Sequence, residues 1–120
     1  MLNLDTHIFV YALQGNLSAS ERRLLGNDTW SVSAIVLWEI AKLSQHRRIQ
    51  MEPNSPEFSR ALSRVHIWPL NLQICLQMME LDFQSDPADE IIAATSIVHR
   101  VNLVTRDKKI LRSKMVPFAK

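Results

Sequence analysis

The segment DPADEIIAATSIVHRVNLVT, residues 86–105, carries a helix signal followed directly by a strand signal. Asp86 followed by Pro87 is typical of a helix start, and the apolar residues after it predict a helix over residues 90–100. The run from Val101 to Thr105 predicts a buried strand directly after that helix. Helices and strands that alternate in this way build a parallel sheet with helices packed on its faces.

The rest of the chain shows the same alternation. Further strands are predicted over residues 1–5, 30–33, 66–70 and 115–118, the last only as an edge strand because it contains Pro117. Further helices are predicted over residues 6–15, 19–26, 34–45, 56–65, 72–82 and 108–112. We therefore expect an α/β fold, a three-layer sandwich with a mainly parallel central sheet flanked by helices, formed as a single domain over residues 1–120.

Composition limits the class of protein. Hydrophobic residues make up 47% of the 120 residues and charged residues 22%, as in an ordinary globular chain. The longest apolar run, Ile8 to Leu13, is far shorter than a membrane span, and the N-terminus lacks the pattern of a secretory signal, so we expect a cytoplasmic protein without a membrane partner. The single cysteine, Cys75, cannot form an internal disulfide and is expected to pack against apolar neighbours.

Basic residues are concentrated at the C-terminus. Residues 99–120 contain seven Lys and Arg but one acid, Asp107, whereas residues 1–98 contain eleven acids against seven Lys and Arg. A clustered positive charge suits a polyanion such as nucleic acid, and a solvated helix face explains it equally well.

Four carboxylates are predicted to meet at one edge of the sheet. Asp5 ends the first strand, and Asp107 comes two residues after the strand that ends at Thr105. Asp89 lies in the first turn of a helix, and Glu39 interrupts the apolar run of residues 34–41. In an open parallel sheet, sites form beyond the carboxyl ends of the strands, where each strand leads into a helix.

Each of these acids has a simple structural explanation when considered alone. Asp5 and Asp107 suit helix capping, Asp89 suits a helix N-terminus, and Glu39 is spaced to pair with Lys42. Together they would repel one another strongly unless a bound cation neutralised them. Ligands that are all carboxylate oxygens favour Mg²⁺ or Mn²⁺, which suits hydrolysis of a phosphodiester bond.

Four motifs in chain order resemble the PIN domain, and specifically its VapC-type toxins. They are Leu4-Asp5-Thr6-His7, Ser33 with Trp38-Glu39-Ile40-Ala41, Asp86-Pro87-Ala88-Asp89 with Ile92-Ala93-Ala94-Thr95, and Leu103-Val104-Thr105-Arg106-Asp107. The resemblance covers nearly the whole chain. It implies a Mg²⁺-dependent ribonuclease that is the toxin of a toxin–antitoxin pair.

The resemblance also implies the roles of individual residues. The metal-binding and catalytic acids would be Asp5, Glu39, Asp89 and Asp107, which would hold the ion and orient the attacking water. Thr6 and Thr105 match the small polar positions beside them. Asp86 is either an auxiliary acid or a helix cap, and we favour the cap. Many relatives carry a further acid where this chain has Lys109, so we expect at least one metal ion and leave a second open.

Partners follow from the same resemblance and from charge. The cations next to the fourth acid, Arg106, Lys108, Lys109 and Arg112, are expected to bind the RNA backbone. A homodimer and a VapB-like antitoxin are implied as protein partners. Trp38, Met78, Met79 and Phe83 are candidates for these surfaces, although packing in the core is the better explanation for any one of them.

Two alternatives from other classes remain. A receiver-type signalling domain also combines an α/β fold with clustered acids and Mg²⁺, but it should have paired acids after its first strand, and residues 3–6 lack that pair. A catalytically silent binding module of PIN shape would keep the acids only as helix caps.

Overall fold

A computed structural model of the chain describes residues 1–120 as four strands and seven helices. In chain order they are β1 (Leu2–Leu4), α1 (Thr6–Gln14), α2 (Ala19–Gly26), β2 (Trp30–Ser33), α3 (Ala34–Gln45), α4 (Pro56–Leu62), β3 (His66–Trp68), α5 (Leu72–Met79), α6 (Pro87–His99), β4 (Asn102–Val104) and α7 (Lys108–Leu111). None of the helices is both long enough and apolar enough to cross a membrane.

The four strands form one parallel sheet in the order β3-β2-β1-β4. The predicted α/β class and the mainly parallel sheet are confirmed, and within β1 to β4 no strand runs antiparallel. Because β1 and β4 are neighbours with Leu4 opposite Val104, the residues that follow these two strands emerge side by side at one edge of the sheet. This edge is where Asp5 and Asp107 were expected.

A buried asparagine fixes α6 on one face of the sheet. Asn3 of β1 is fully buried, and its Nδ2 donates to the carbonyl oxygen of Ile92 at 3.2 Å and to Oγ of Ser96 at 2.9 Å. Buried amides require such partners because an unpaired polar group is costly away from water. Asn3 lies two residues before Asp5, so these bonds also set the position of the α6 N-terminus, with Asp89, relative to Asp5.

Four helix starts and the end of α1 follow the predicted local signals. Ser18 forms the predicted capping box with Glu21, and Ser33, Ser55 and Asn71 each accept a backbone N–H of the helix that follows. Gly15 ends α1 in the left-handed conformation, at φ 74°, that glycine adopts without strain.

Several predicted strands and helices are longer than those in the structure. Strand β3 ends at Trp68 because Pro69 cannot donate a backbone hydrogen bond to the sheet, and α4 and α5 end three residues before the predicted positions. The predicted C-terminal strand is reduced to one parallel bridge between Phe118 and Leu103 beside β4. Pro117 contributes its carbonyl oxygen there, accepting from the N–H of Leu103 at 2.8 Å.

Core packing was the wrong explanation for two of the large apolar residues. Trp38 is 55% exposed and Met79 is 73% exposed. Val36 and Ile40, one turn apart on α3, are fully buried, so Trp38 between them points to the opposite side of that helix. Met78 and Phe83 are partly buried, and so is Cys75, which therefore packs less completely than expected.

Candidate active site

Five carboxylates line one cleft at the carboxyl edge of the sheet. Its volume is about 340 Å³, and its lining contains Asp5, Glu39, Asp86, Asp89 and Asp107. These residues come from four separate stretches of the chain: the end of β1, the middle of α3, the start of α6 and the loop after β4. The cleft thus contains all four acids that the sequence singled out.

Asp5 is the most deeply buried of these acids, with 6% of its surface exposed. It caps α1, and its Oδ1 accepts the backbone N–H of Thr6 at 2.8 Å while its Oδ2 accepts the hydroxyl of Thr105 at 2.6 Å. Burial raises the pKa of the Asp5 carboxyl, and the two hydrogen bonds oppose that rise. Both threonines that the resemblance placed beside the acids therefore contact Asp5.

Glu39 accepts a hydrogen bond from the hydroxyl of Thr6 and makes no ion pair. The expected alternative partner, Lys42, instead has its ammonium 6.0 Å from the centre of the Trp38 ring. Burial raises the pKa of Glu39, the Thr6 hydroxyl opposes this, and the charge of Asp5 adds to the rise. A partly desolvated carboxylate therefore faces the cleft without a cation of its own.

Asp89 projects from the first turn of α6, and its Oδ2 accepts the hydroxyl of Ser85 at 2.9 Å. Its pKa is raised to about 6: burial is the largest cause, the charges of Asp5, Glu39 and Asp107 add to the rise, and the bond from Ser85 opposes it. Sequence reasoning missed Ser85. Its only signal is a hydroxyl residue four positions before an acid across a helix start, which is too common to single out.

Asp107 caps a helix and also lines the cleft. Its Oδ1 accepts the backbone N–H groups of Lys109 at 2.8 Å and Ile110 at 3.2 Å, which caps α7 as expected. Its own N–H donates to the hydroxyl oxygen of Thr105 at 3.0 Å. Because that hydroxyl also donates to Asp5, Thr105 links the first and the last of the four acids.

Asp86 corrects a prediction. It occupies the N-cap position of α6 with extended backbone, but its side chain makes no capping hydrogen bond. The side chain instead lines the cleft, where its charge contributes to the raised pKa of Glu39. Asp86 therefore suits the N-cap position only through its extended backbone, and its carboxylate faces the other acids of the cleft.

The four cations predicted to bind RNA differ in whether an acidic side chain already pairs with them. Arg106 is held by Glu21, whose two carboxylate oxygens each accept a guanidinium hydrogen bond at 2.7 Å, and its guanidinium lies 4.4 Å from the centre of the Tyr11 ring. These bonds from Arg106 lower the pKa of Glu21 to about 2. Three others are exposed and form no ion pair: Lys108, Lys109 and Arg112.

The chemistry of the cleft suits a hard divalent cation. Its potential ligands are carboxylate oxygens, and its one strong cation, Arg106, is already neutralised by Glu21. As the side chains stand, no three histidine, cysteine, aspartate or glutamate residues of the chain are close enough to surround one ion. The residues fit such an ion by donor type and by uncompensated charge, and the carboxylates face a common space.

Comparison with known proteins agrees with the resemblance to the PIN domain. The sequence model of the PIN domain matches residues 3–114, a range that includes all four predicted acids. The chain is similar to Ribonuclease VapC22 of Mycobacterium tuberculosis (strain ATCC 25618 / H37Rv), with 32% identity over 120 residues that cover 95% of this chain and 92% of that protein.

Solved structures share the fold over almost the full length. VapBC2 from Rickettsia felis, in a crystal structure bound to a DNA fragment from their promoter, aligns with a TM-score of 0.76 and 25% identity over 99% of this chain and 98% of that chain. A toxin–antitoxin complex from Klebsiella pneumoniae aligns with a TM-score of 0.68 and 21% identity over 93% of this chain and 91% of that chain.

Proposed function

The chain belongs to the PIN-domain family, and on that premise we propose that it is a divalent-metal-dependent ribonuclease that acts as the toxin of a toxin–antitoxin pair. One observation carries the proposal: acids from four distant stretches line a single cleft with no free cation among them. Helix capping alone does not require Glu39 or Asp86 to be there. The family match also makes the receiver-type alternative wrong.

The residues that would hold Mg²⁺ or Mn²⁺ are Asp5, Glu39, Asp89 and Asp107, with Asp86 as an auxiliary acid. Such an ion, when bound, polarises a phosphate oxygen and lowers the pKa of a water molecule for attack on phosphorus. Relief of repulsion among half-buried carboxylates favours its binding.

Hydroxyl groups of the chain hold these carboxylates in place. Thr6 and Thr105 donate to Glu39 and Asp5, and Ser85 donates to Asp89. Each carboxylate oxygen has a second lone pair, so a hydrogen-bonded carboxylate can still bind a ligand. Fixed orientation matters because small displacements of catalytic groups reduce rates strongly. Thr6, Ser85 and Thr105 are therefore positioning residues in this proposal.

Purified protein is expected to cleave single-stranded RNA in Mg²⁺ or Mn²⁺, to lose the activity in excess EDTA, and to regain it when the ion is restored. Gel analysis of an end-labelled RNA measures this. RNA binding without any cleavage in either ion would instead support the catalytically silent module of the same fold.

The proposed protein partners are a VapB-like antitoxin and a second copy of the chain. The Rickettsia felis and Klebsiella pneumoniae structures are toxin–antitoxin complexes, which supports the first. The second would cover α5, where Leu72, Leu76 and Met79 are 71%, 53% and 73% exposed. Their spacing of four and three residues places them on one helical face, and exposed apolar patches of this kind mark protein interfaces. The proposed location is the cytoplasm, where an RNA-cleaving toxin meets its substrate.

The free lysines of α7 give a direct test of substrate contact. Changing both Lys108 and Lys109 to glutamine is expected to weaken RNA binding and to reduce the slope of log affinity against log salt by about 1.4, since each lost contact to single-stranded nucleic acid is worth roughly 0.7. Fluorescence anisotropy across a salt series measures the slope. Changing both Arg60 and Arg64, which are exposed on the α4 side, to glutamine is the matched control. If the Lys108 and Lys109 double variant has the same salt slope as this control, the proposed contact is refuted.

A further inference from the structure

A second and larger cavity adjoins the acidic cleft. Its volume is about 690 Å³, within the range of roughly 300–1,000 Å³ typical of ligand sites, and it lies between α1 and the loop after α3. His7 and Tyr11 line both this cavity and the acidic cleft, so the two spaces are neighbours along α1.

The lining of this cavity differs from that of the cleft in charge. No carboxylate contributes to it, and Arg48 is its one permanent cation. Arg48 is exposed and forms no ion pair, in contrast to Arg106, which Glu21 neutralises. A polyanion that enters the acidic cleft is repelled there, and Arg48 offers a positive charge without an ion-pair partner in the adjoining cavity.

The other polar residues of the cavity suit an unpaired nucleotide. Gln14, Asn16 and Gln50 present side-chain amides, which both donate and accept hydrogen bonds. Tyr11 supplies an aromatic ring, and the guanidinium of Arg106 lies over that ring, 4.4 Å from its centre. Amides that pair with base edges and fixed aromatic rings on which bases stack are the usual means of recognising single-stranded RNA.

The backbone after α3 is built to present Arg48. Arg47 adopts the left-handed conformation at φ 55°, and the N–H of Arg48 donates to the carbonyl oxygen of Leu43 at 2.8 Å. This bond, together with that from Arg47 N–H to the Ser44 carbonyl at 3.0 Å, is the pattern of a Schellman helix end. It turns the chain back so that residues 48–50 form a wall of the cavity.

We propose that this cavity is a substrate subsite, in which Arg48 binds a backbone phosphate and Tyr11 stacks on the base of an RNA nucleotide adjacent to the cleaved bond. The inference rests on the proposed ribonuclease function and extends it to substrate positioning. Arg48 and Tyr11 are binding residues in it, and the acids of the cleft remain the catalytic ones.

The test uses a short fluorescein-labelled single-stranded RNA and the full chain, in EDTA so that no RNA is cleaved. Arg48→Gln is expected to weaken binding about tenfold and to reduce the salt slope by about 0.7, as for the loss of one charged contact. Arg60→Gln, an exposed arginine on α4 outside the cavity, is expected to leave both unchanged. Tyr11→Phe should bind like the wild type, and Tyr11→Leu should bind roughly fivefold or more weakly.

If Arg48→Gln binds RNA with the same affinity and the same salt slope as Arg60→Gln, the proposed subsite is refuted. An equal loss of binding to double-stranded DNA would also overturn it, since that result means a general polyanion contact. Cleavage in Mg²⁺ is measured separately on the same variants. If the wild type cleaves and Arg48→Gln behaves like the control, the subsite fails and the nuclease stands. If Arg48 governs RNA binding but the wild type never cleaves, the nuclease fails instead.

Discussion

Replacing Asp5 or Asp89 with asparagine is expected to reduce Mg²⁺-dependent RNA cleavage by roughly 100-fold or more, the scale of losing one electrostatic catalytic group, while the fold remains intact. Each change removes a negative charge from the proposed metal ligands and keeps the size of the side chain. End-labelled RNA cleavage measures the loss, and circular dichroism and thermal melting report on the fold.

The two variants should differ in stability. Asp89 accepts one hydroxyl, from Ser85, which an asparagine oxygen can still accept, so relief of repulsion should stabilise Asp89→Asn. Asp5 accepts donors on both oxygens, from Thr6 and Thr105, so an asparagine amide must face one of them. We expect Asp5→Asn to gain less stability or to lose some.

Glu57→Gln provides the matched control for both changes. Glu57 also lies in the first turn of a helix, α4, but it is exposed and is not part of the cleft lining. It should retain full cleavage. Undiminished cleavage by purified Asp5→Asn or Asp89→Asn would refute the assignment of these acids to the catalytic centre.

The positions of Asp5 and Asp107 could be predicted from the sequence because both follow short apolar strands. In a parallel sheet all such positions lie at one edge, so local pattern determines their place without knowledge of distant contacts. Asp89 was predictable in the same way, from the helix start at Pro87. The strand order β3-β2-β1-β4, which makes β1 and β4 neighbours, was not expressed in any local pattern.

Contacts between distant residues were beyond local pattern. Glu21 and Arg106 are 85 residues apart, and each has its own local explanation as a capping-box acid and a member of a basic tail. Their ion pair changes the role of Arg106, since the guanidinium is neutralised before substrate arrives. Trp38 was misassigned for a related reason: its apolar character was clear, but only the burial of Val36 and Ile40 shows which side of α3 faces the core.

The second large effect concerns pH and metal ions. Stability of the metal-free wild type, compared with that of Asp89→Asn, is expected to fall as the pH rises from about 4 to about 7. The pKa of Asp89 is about 6 in the folded chain, against an ordinary value of 3.8 for an aspartate in the unfolded chain. Between these values the folded state keeps a proton that the unfolded state has lost. Above pH 6 the folded chain must carry the charge, so the cost is fully present at pH 7 and absent below about 3.8.

The size of this effect is limited by solvent. A rise from 3.8 to about 6 corresponds to at most about 3 kcal/mol, and screening around a half-buried carboxylate should reduce it to roughly 1–2 kcal/mol. Chemical denaturation of both proteins at several pH values measures the difference. The low pKa of Glu21, about 2, is shared by both proteins and cancels in the comparison.

Adding Mg²⁺ should reverse the trend at neutral pH. An ion that binds only the folded chain stabilises it by mass action, and it needs the carboxylates in their charged form. The melting temperature of the wild type should therefore rise with Mg²⁺ concentration at pH 7 and much less at pH 5, whereas Asp89→Asn should respond weakly at both. Glu57→Gln should follow the wild type throughout. The stability difference between wild type and Asp89→Asn could instead stay constant with pH and remain unchanged when Mg²⁺ is added. That result would mean that Asp89 is neither under charge repulsion nor a metal ligand, and it would refute the proposal that the cleft binds a cation.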